Sequence, residues 1–355
     1  MKAVVFHRPF AVACESLPEP SLEAASDVLV RVEAAAICGS DLHPYRGLEG
    51  GLDAGTVLGH EFAGEVVAVG SQVTRLRPGD RVVSPFTTSC GGCFYCARGL
   101  TSRCVAGQLF GWIEQGRGLN GAQAELVRVP LAETTLVAIP DGVDAEGALF
   151  AGDILATASF CADMAEVSSG TVAVVLGCGP VGLLSIVAAI ERGAERVFAV
   201  DSVPDRLSLA RELGGEPLAL GDEPIIEHVR EATAGRGADA VLEAVGSADA
   251  TRLAVDLLRP GGIIAAAGFH TEKQFAFGPG EAYDKNLTYR AGRCPARSYM
   301  DRLLPRIAEG RYPLDRLVSH RLTFEEGPRA YRLFEQKLEG CTKVILRPGI
   351  SSQRD

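Results

Sequence analysis

The feature that most constrains this chain is a run of six residues, Gly177-Cys178-Gly179-Pro180-Val181-Gly182, set between the apolar segment Val172 to Leu176 and an apolar helical pattern. Strand, glycine-rich turn and helix in that order open a βαβ unit, and each glycine has its own reason. Gly177 permits the tight turn, Gly179 lets the backbone approach a pyrophosphate, and Gly182 lets the helix pack closely on the strand. Pro180 gives up no donor that the helix start needs, and Val181 completes the turn. Free N–H groups there, with the positive end of the helix dipole behind them, suit phosphate. About twenty residues on, a second apolar run ends in Val200-Asp201, whose carboxylate can accept from both hydroxyls of an adenosine ribose and repels a 2′-phosphate. A glycine triplet alone is only a tight turn. In register with strand, helix and acid, it predicts a dinucleotide site that prefers NAD to NADP, with Arg206 near enough in sequence to soften the discrimination.

Apolar runs alternating with helical periods continue through Val197 to Val200, a helix from Asp205, Ala240 to Ala244, a helix from Ala248, and Ile263 to Ala267 after the turn Arg259-Pro260-Gly261-Gly262. That rhythm predicts an α/β, doubly wound parallel sheet. The first 150 residues read otherwise, as short strands broken by glycine and proline, such as Val28 to Val32, Gly64 to Val69, Arg81 to Val83 and Ala122 to Val129. Beyond residue 290 a helical stretch from Tyr299 to Glu309 precedes strand-like segments at Leu317 to Leu322 and Lys343 to Leu346, similar in type to the N-terminal region. The expectation is therefore a β-rich domain from 1–150 and 291–355, and a nucleotide-binding domain from 151–290. A length of 355 residues suits two cores better than one.

Thirty-five basic against 45 acidic residues, a net charge of -10, give no electrostatic support to a nucleic-acid partner or an anionic membrane. No run of eighteen apolar residues is evident, and Met1 to Phe10 lacks the order of a signal peptide, so a cytoplasmic location is expected. Ten cysteines in 355 residues are too sparse for a disulfide-stapled secreted domain, yet four fall between Cys90 and Cys104. Cys90, Cys93, Cys96 and Cys104 can close a tetrahedral zinc shell with no open position, which makes such a site structural. An iron–sulfur cluster is the rival reading; the wide last gap, and Val105 where proline would follow, fit it poorly.

Further motifs stand in a fixed order: Cys38-Gly39-Ser40-Asp41-Leu42-His43, Gly59-His60-Glu61, Pro78-Gly79-Asp80-Arg81-Val82, the cysteine lobe and the glycine loop. Together they resemble the zinc-dependent medium-chain alcohol dehydrogenases over nearly the whole chain. The resemblance implies a GroES-like catalytic domain that carries the lobe at 90–104, a Rossmann nucleotide domain, and two Zn2+ per chain. It implies a catalytic zinc held by Cys38, His60 and a residue just before the nucleotide domain. There the stretch Ala151-Gly152-Asp153-Ile154-Leu155-Ala156-Thr157 offers Asp153, as in the bacterial secondary-alcohol and formaldehyde-type enzymes; Cys161 is the alternative, and Thr157 is assigned to the cofactor. Thiolate, imidazole and carboxylate leave one position open, where zinc acts as a Lewis acid on an alcohol hydroxyl. Glu61 either enters the shell transiently or tunes it from outside.

The family pattern further implies a proton relay from Ser40 through the cofactor ribose towards His43, whose imidazole titrates near neutrality. Asp41 reads as a helix cap. Gly39 stands where some relatives carry an arginine for the pyrophosphate. Phe86 and Trp112 are candidates for the substrate wall. The substrate implied is a small primary or secondary alcohol and its aldehyde or ketone, with a polyol dehydrogenase or a catalytically silent nucleotide-binding regulatory or stress protein as alternatives. A zinc-free quinone or enoyl reductase would lack the pair Cys38 and His60. Relatives form homodimers or homotetramers by an edge strand, for which Leu287 to Gly292 or Ile263 to Ala267 are the candidates.

Overall fold

Val172–Leu176 is apolar at all five positions and buried at all five, as a strand covered on both faces must be. In the computed structural model, which describes residues 1–221 and 224–349, it lies at the middle of a six-stranded sheet. The spatial order is Glu216–Ala219, Arg196–Asp201, Val172–Leu176, Ala238–Glu243, Leu258–Ala266, Thr288–Ala291, and every neighbouring pair is parallel. Counted along the chain this is 3-2-1-4-5-6, the doubly wound arrangement in which the strand order reverses beside the first strand. The sheet belongs to a unit spanning Thr157–Cys294.

The other unit comprises Met1–Ala156 and Pro295–Asp355, of which 350–355 lie outside the described residues. Its main sheet runs Val318–Thr323, Lys343–Arg347, Val28–Ala36, Glu61–Val69, Arg81–Ser84, Val137–Ala138, with Leu126–Val129 also paired to Val28–Ala36. The C-terminal strand Lys343–Arg347 is antiparallel to the end of Val28–Ala36, matching Ile345 to Ala36 and Leu346 to Ala35. Chain segments some 300 residues apart thus meet just before Cys38-Gly39-Ser40-Asp41. The core beneath them is aliphatic and aromatic, with Val30, Val32, Ile37, Phe62, Phe110 and Phe324 almost fully buried.

One expectation changes. Ile263 to Ala267 is not an edge: its strand pairs on one side with Ala238–Glu243 and on the other with Thr288–Ala291, which is the outermost strand. Ala145–Met164 is a 20-residue span apolar enough to cross a membrane by length and composition, and 78% of its apolar window is buried inside the protein. The stretch is two helices, Ala145–Gly152 and Ile154–Met164, interrupted at Asp153 by a non-helical backbone with φ -146° and ψ -85°.

Candidate metal and dinucleotide sites

Three local devices bring the first cluster together. Cys38 follows the strand Val28–Ala36 in an extended conformation and starts a single 3-10 turn, Gly39–Asp41, whose Asp41 carboxylate accepts the Cys38 N–H at 2.9 Å. His60 follows Gly59, whose φ of +92° is open to glycine at little cost, and leads into the strand Glu61–Val69. Asp153 is delivered by the break between two helices. Gly152 before it lies so close to strand Arg81–Ser84 that a Cβ would stand 2.1 Å from the Ser84 carbonyl oxygen. Any side chain at 152 would push Asp153 away.

One ligand atom from each of Cys38, His60, Glu61 and Asp153 lies within 4.8 Å of the others. His60 Nε2 is 3.3 Å from Asp153 Oδ2 and 3.1 Å from Ser40 Oγ, while Nδ1 is 3.1 Å from Asp41 Oδ1. One ring nitrogen is therefore taken by a carboxylate behind it, and the other faces the thiol and Asp153. That division is how a metal-binding histidine is oriented. Burial, with Asp153 and Glu61 nearby, pushes the Cys38 thiol up to about 11. Burial alone would depress the His60 imidazole, but Asp41 and Asp153 outweigh it and hold its pKa well above the usual value. The cluster thus has the charge and donor set of a cation site, and sulfur, nitrogen and oxygen in this number fit zinc. Cys161 lies elsewhere: its thiol donates to the Ala265 carbonyl at 3.4 Å.

Lys343 was not legible as part of this site. Fully buried on its strand, its ammonium is 2.6 Å from each oxygen of Glu61 and donates to the Ile37 carbonyl at 3.0 Å. A lysine opening the apolar strand Lys343–Arg347 is the signal that could have found it. Asp41, read as a cap, caps Cys38 and also holds His60. His43 lies on the short helix Leu42–Tyr45, where burial and Arg46 lower its pKa. Phe86 packs its edge on His60, with ring centroids 6.4 Å apart, and Trp112 lies half-buried in a hairpin strand, Trp112–Glu114.

The second cluster is the lobe. The sulfurs of Cys90, Cys93, Cys96 and Cys104 also lie within 4.8 Å of one another. Two short 3-10 turns, Cys96–Arg98 and Thr101–Arg103, shape the segment, and the Cys90 N–H donates to Cys104 Sγ at 3.2 Å. Such bonds from the backbone of Cys96 and Val105 lower Cys93 to about 6, whereas burial and the neighbouring sulfurs raise Cys96 to about 12. Four thiols this close cannot all ionise without a cation between them, and a tetrahedral ion is what four such sulfurs fit.

In the other unit the glycine loop has the expected geometry. Gly177 has φ +86°, and a Cβ on Gly182 would stand 1.7 Å from the Gly177 carbonyl oxygen. At Gly179 the nearest atom to such a Cβ is Arg206 Nη1 at 3.8 Å, so the surface above this glycine is open and bordered by a cation. Gly179 caps the helix Pro180–Glu191, with Val181 in its first turn. Asp201 accepts the Cys178 N–H at 2.7 Å and the Val203 N–H at 2.9 Å, one on each oxygen, while the buried Arg206 Nε has no hydrogen-bond partner. Thr157 lies half-buried on the helix Ile154–Met164.

Residues 24–141 match the alcohol dehydrogenase GroES-like domain and residues 180–309 the zinc-binding dehydrogenase family. Zinc-type alcohol dehydrogenase B of Aspergillus flavus is 43% identical over 98% of this chain and 82% of its own length. The NADP-dependent isopropanol dehydrogenase of Thermoanaerobacter brockii is 33% identical over 90% of this chain and 92% of its own. Among solved structures, the alcohol dehydrogenase TADH from Thermus sp. ATN1 superposes with a TM-score of 0.92 at 42% identity, covering 98% of this chain and 100% of that one.

Proposed function

This chain belongs to the zinc-binding dehydrogenases that carry an alcohol dehydrogenase GroES-like domain, and on that premise we propose that Cys38, His60 and Asp153 are the ligands of its catalytic zinc. It is an oxidoreductase acting on alcohols and their carbonyl partners. The observation that carries the assignment is the convergence of these three side chains, with their ligand atoms within 4.8 Å of each other. Cys90, Cys93, Cys96 and Cys104 hold a second, closed zinc. The substrate is a small primary or secondary alcohol or the matching aldehyde or ketone, and the protein works as a homodimer or homotetramer in the cytoplasm.

A bound zinc supplies the Lewis acidity that acidifies an alcohol hydroxyl, and a bound nicotinamide accepts the hydride. The chain's own residues do the rest. Asp41 holds the His60 ring so that Nε2 presents its lone pair to the ion. Ser40 Oγ, 3.1 Å from that nitrogen, can both accept and donate and would take the proton of a substrate hydroxyl held there. His43, kept neutral by burial and Arg46, is the acceptor at the far end of the relay. Lys343 engages Glu61 and would keep that carboxylate out of the ligand set when zinc is bound, leaving the metal open to substrate. Phe86, packed on the His60 edge, helps keep water out.

NAD is the preferred cofactor. Asp201 is fixed by two backbone N–H groups, so its carboxylate stays in place to accept ribose hydroxyls and repel a 2′-phosphate. Arg206, beside Gly179, supplies positive charge to the phosphates and offsets part of that repulsion. Gly177, Gly179, Pro180, Val181, Gly182 and Thr157 complete the cofactor set. Two measurements test the reading. Metal analysis is expected to give two zinc ions per chain, and one in Asp153→Ala with turnover lost; two in the variant remove Asp153 from the ligand set. The ratio of kcat/KM for NAD and NADP is expected to favour NAD, and a tenfold preference for NADP overturns the role given to Asp201.

A further inference from the structure

Behind His60 runs a buried chain of polar groups that the proposed chemistry does not use. The Tyr331 phenol, on the helix Gly327–Gln336 and with no exposed surface, donates to Gln123 Oε1 at 2.9 Å. Gln123, equally buried, donates through Nε2 to the Ala36 carbonyl at 3.3 Å and to Asp41 Oδ2 at 3.4 Å. Asp41 in turn accepts the Cys38 N–H at 2.9 Å and faces His60 Nδ1 at 3.1 Å. Tyr331 is 208 residues from Gln123 in sequence, and Gln123 is 82 from Asp41, so only the fold unites them.

The polarity of this chain is determined. An ionised carboxylate and a backbone carbonyl only accept, so the nitrogen of the Gln123 carboxamide must face Asp41 and Ala36 and its oxygen must face the phenol. The phenol therefore donates. On the other side of Asp41, His60 Nδ1 must carry hydrogen, so Nε2, the nitrogen beside Cys38 and Asp153, is the one left to face an ion. A reversed carboxamide would set oxygen against oxygen at two places. Gly59, the residue before His60, is part of the same fit: a Cβ there would stand 2.3 Å from Gln123 Cγ. The absence of a side chain at 59 is what seats Gln123 against Asp41.

We infer that Gln123 and Tyr331 are positioning residues for the catalytic metal: by fixing the Asp41 carboxylate they hold the His60 ring in the tautomer and orientation that bind the ion. The inference rests on His60 being a ligand, as proposed above. Removal of the Tyr331 hydroxyl leaves the Gln123 carboxamide oxygen buried without a donor. The carboxamide also loses the bond that fixes its orientation, so its nitrogen is held less firmly against Asp41. The damage then passes to the histidine and to metal affinity. Partners that orient metal-bound histidines contribute about 10- to 100-fold in affinity when they touch the ring, and residues one layer further out act through them with less.

The test uses the full-length protein, with Zn(II) affinity measured by chelator competition and Co(II) as a spectroscopic probe. Tyr331→Phe, which deletes one oxygen, is expected to weaken Zn(II) at the Cys38 site by about three- to tenfold and to shift the Co(II) absorption bands. The four-cysteine site in the same chain is the internal control and keeps its affinity. Gln123→Met removes the donor by an independent route and gives a loss at least as large. A lowered Tm with wild-type Zn(II) affinity and an unaltered Co(II) spectrum in both variants makes the two residues packing elements and overturns the inference. A wild-type protein that takes up only the four-cysteine ion overturns the ligand assignment itself, before either variant is compared.

Discussion

Lys343 shows what a single residue costs and what it permits here. Burial works against a charged ammonium, yet its pKa is raised, because Glu61 faces it closely on both carboxylate oxygens. The ammonium donates to Glu61 Oε1 at 2.6 Å and to the Ile37 carbonyl at 3.0 Å, and Glu61 Oε2, also 2.6 Å away, completes the ion pair without a hydrogen bond of its own. Removing one partner of a buried pair leaves an unpaired charge and costs about 3–5 kcal/mol. Lys343→Met is therefore expected to lose about that much in urea unfolding, and Lys343→Met with Glu61→Gln to regain most of it. A double variant no more stable than the single one would show that Glu61 is not what the lysine compensates. Cys38 and His60 could be proposed because each belongs to a short motif whose parts are adjacent in sequence, and Asp153 because the resemblance implies a ligand in its stretch. Lys343 could not, since its partner is 282 residues away and the pairing exists only after the C-terminal strand docks. Gln123 and Tyr331 were hidden for the same reason: buried amides and phenols carry no spacing that marks them.

Elements were easier to read than contacts, because an apolar run or a helical period is a local property. The parallel strands and the glycine loop follow directly from such runs. Of the two candidate edges, Leu287 to Gly292 contains the outermost strand, whereas Ile263 to Ala266 is apolar on both faces, which marks an interior strand. The loop after that strand carries a contact no periodicity announces. Glu243, fully buried at the end of its strand, accepts the Val245 and Gly246 N–H groups at 2.7 Å on one oxygen, and on the other meets His270 Nε2 at 2.9 Å. That bond to Glu243 raises the His270 pKa against the effect of burial, with Glu272 adding to it. A histidine whose folded pKa lies above its unfolded value, near 6.5, stabilises fully below that value and loses its contribution as pH rises through the raised one. His270→Gln is accordingly expected to cost about 1–2 kcal/mol at pH 5.5 and progressively less towards pH 9. A cost that stays constant over this range would assign the loss to packing.

At the scale of the whole molecule, the chain supports two metal positions of different kinds, and their difference can be read as kinetics. The lobe has little core of its own: between Cys90 and Gly107 only Cys96 and Thr101 are buried. On the proposed assignment its order depends on four sulfurs around one ion, beside a few contacts such as Ser298 Oγ donating to the Gly99 carbonyl at 2.8 Å. A closed shell of four thiolates offers a chelator no vacant corner, whereas a three-ligand site does. The Cys38 zinc should therefore leave first under a strong chelator, abolishing turnover while the lobe stays resistant to protease. The second zinc should leave more slowly, and its loss should open 91–106 to cleavage, since an unpacked segment without its metal has nothing to order it. The two phases can be followed in one experiment by zinc release, residual activity and limited proteolysis. Cys104→Ala should reach the second state directly, with one zinc per chain, early cleavage in the lobe and a metal-bound Cys38 site. Release of both ions in a single phase, with activity and protease resistance lost together, would mean that the lobe and the Cys38 site are one cooperative unit, and the separate roles given to the two clusters would fall.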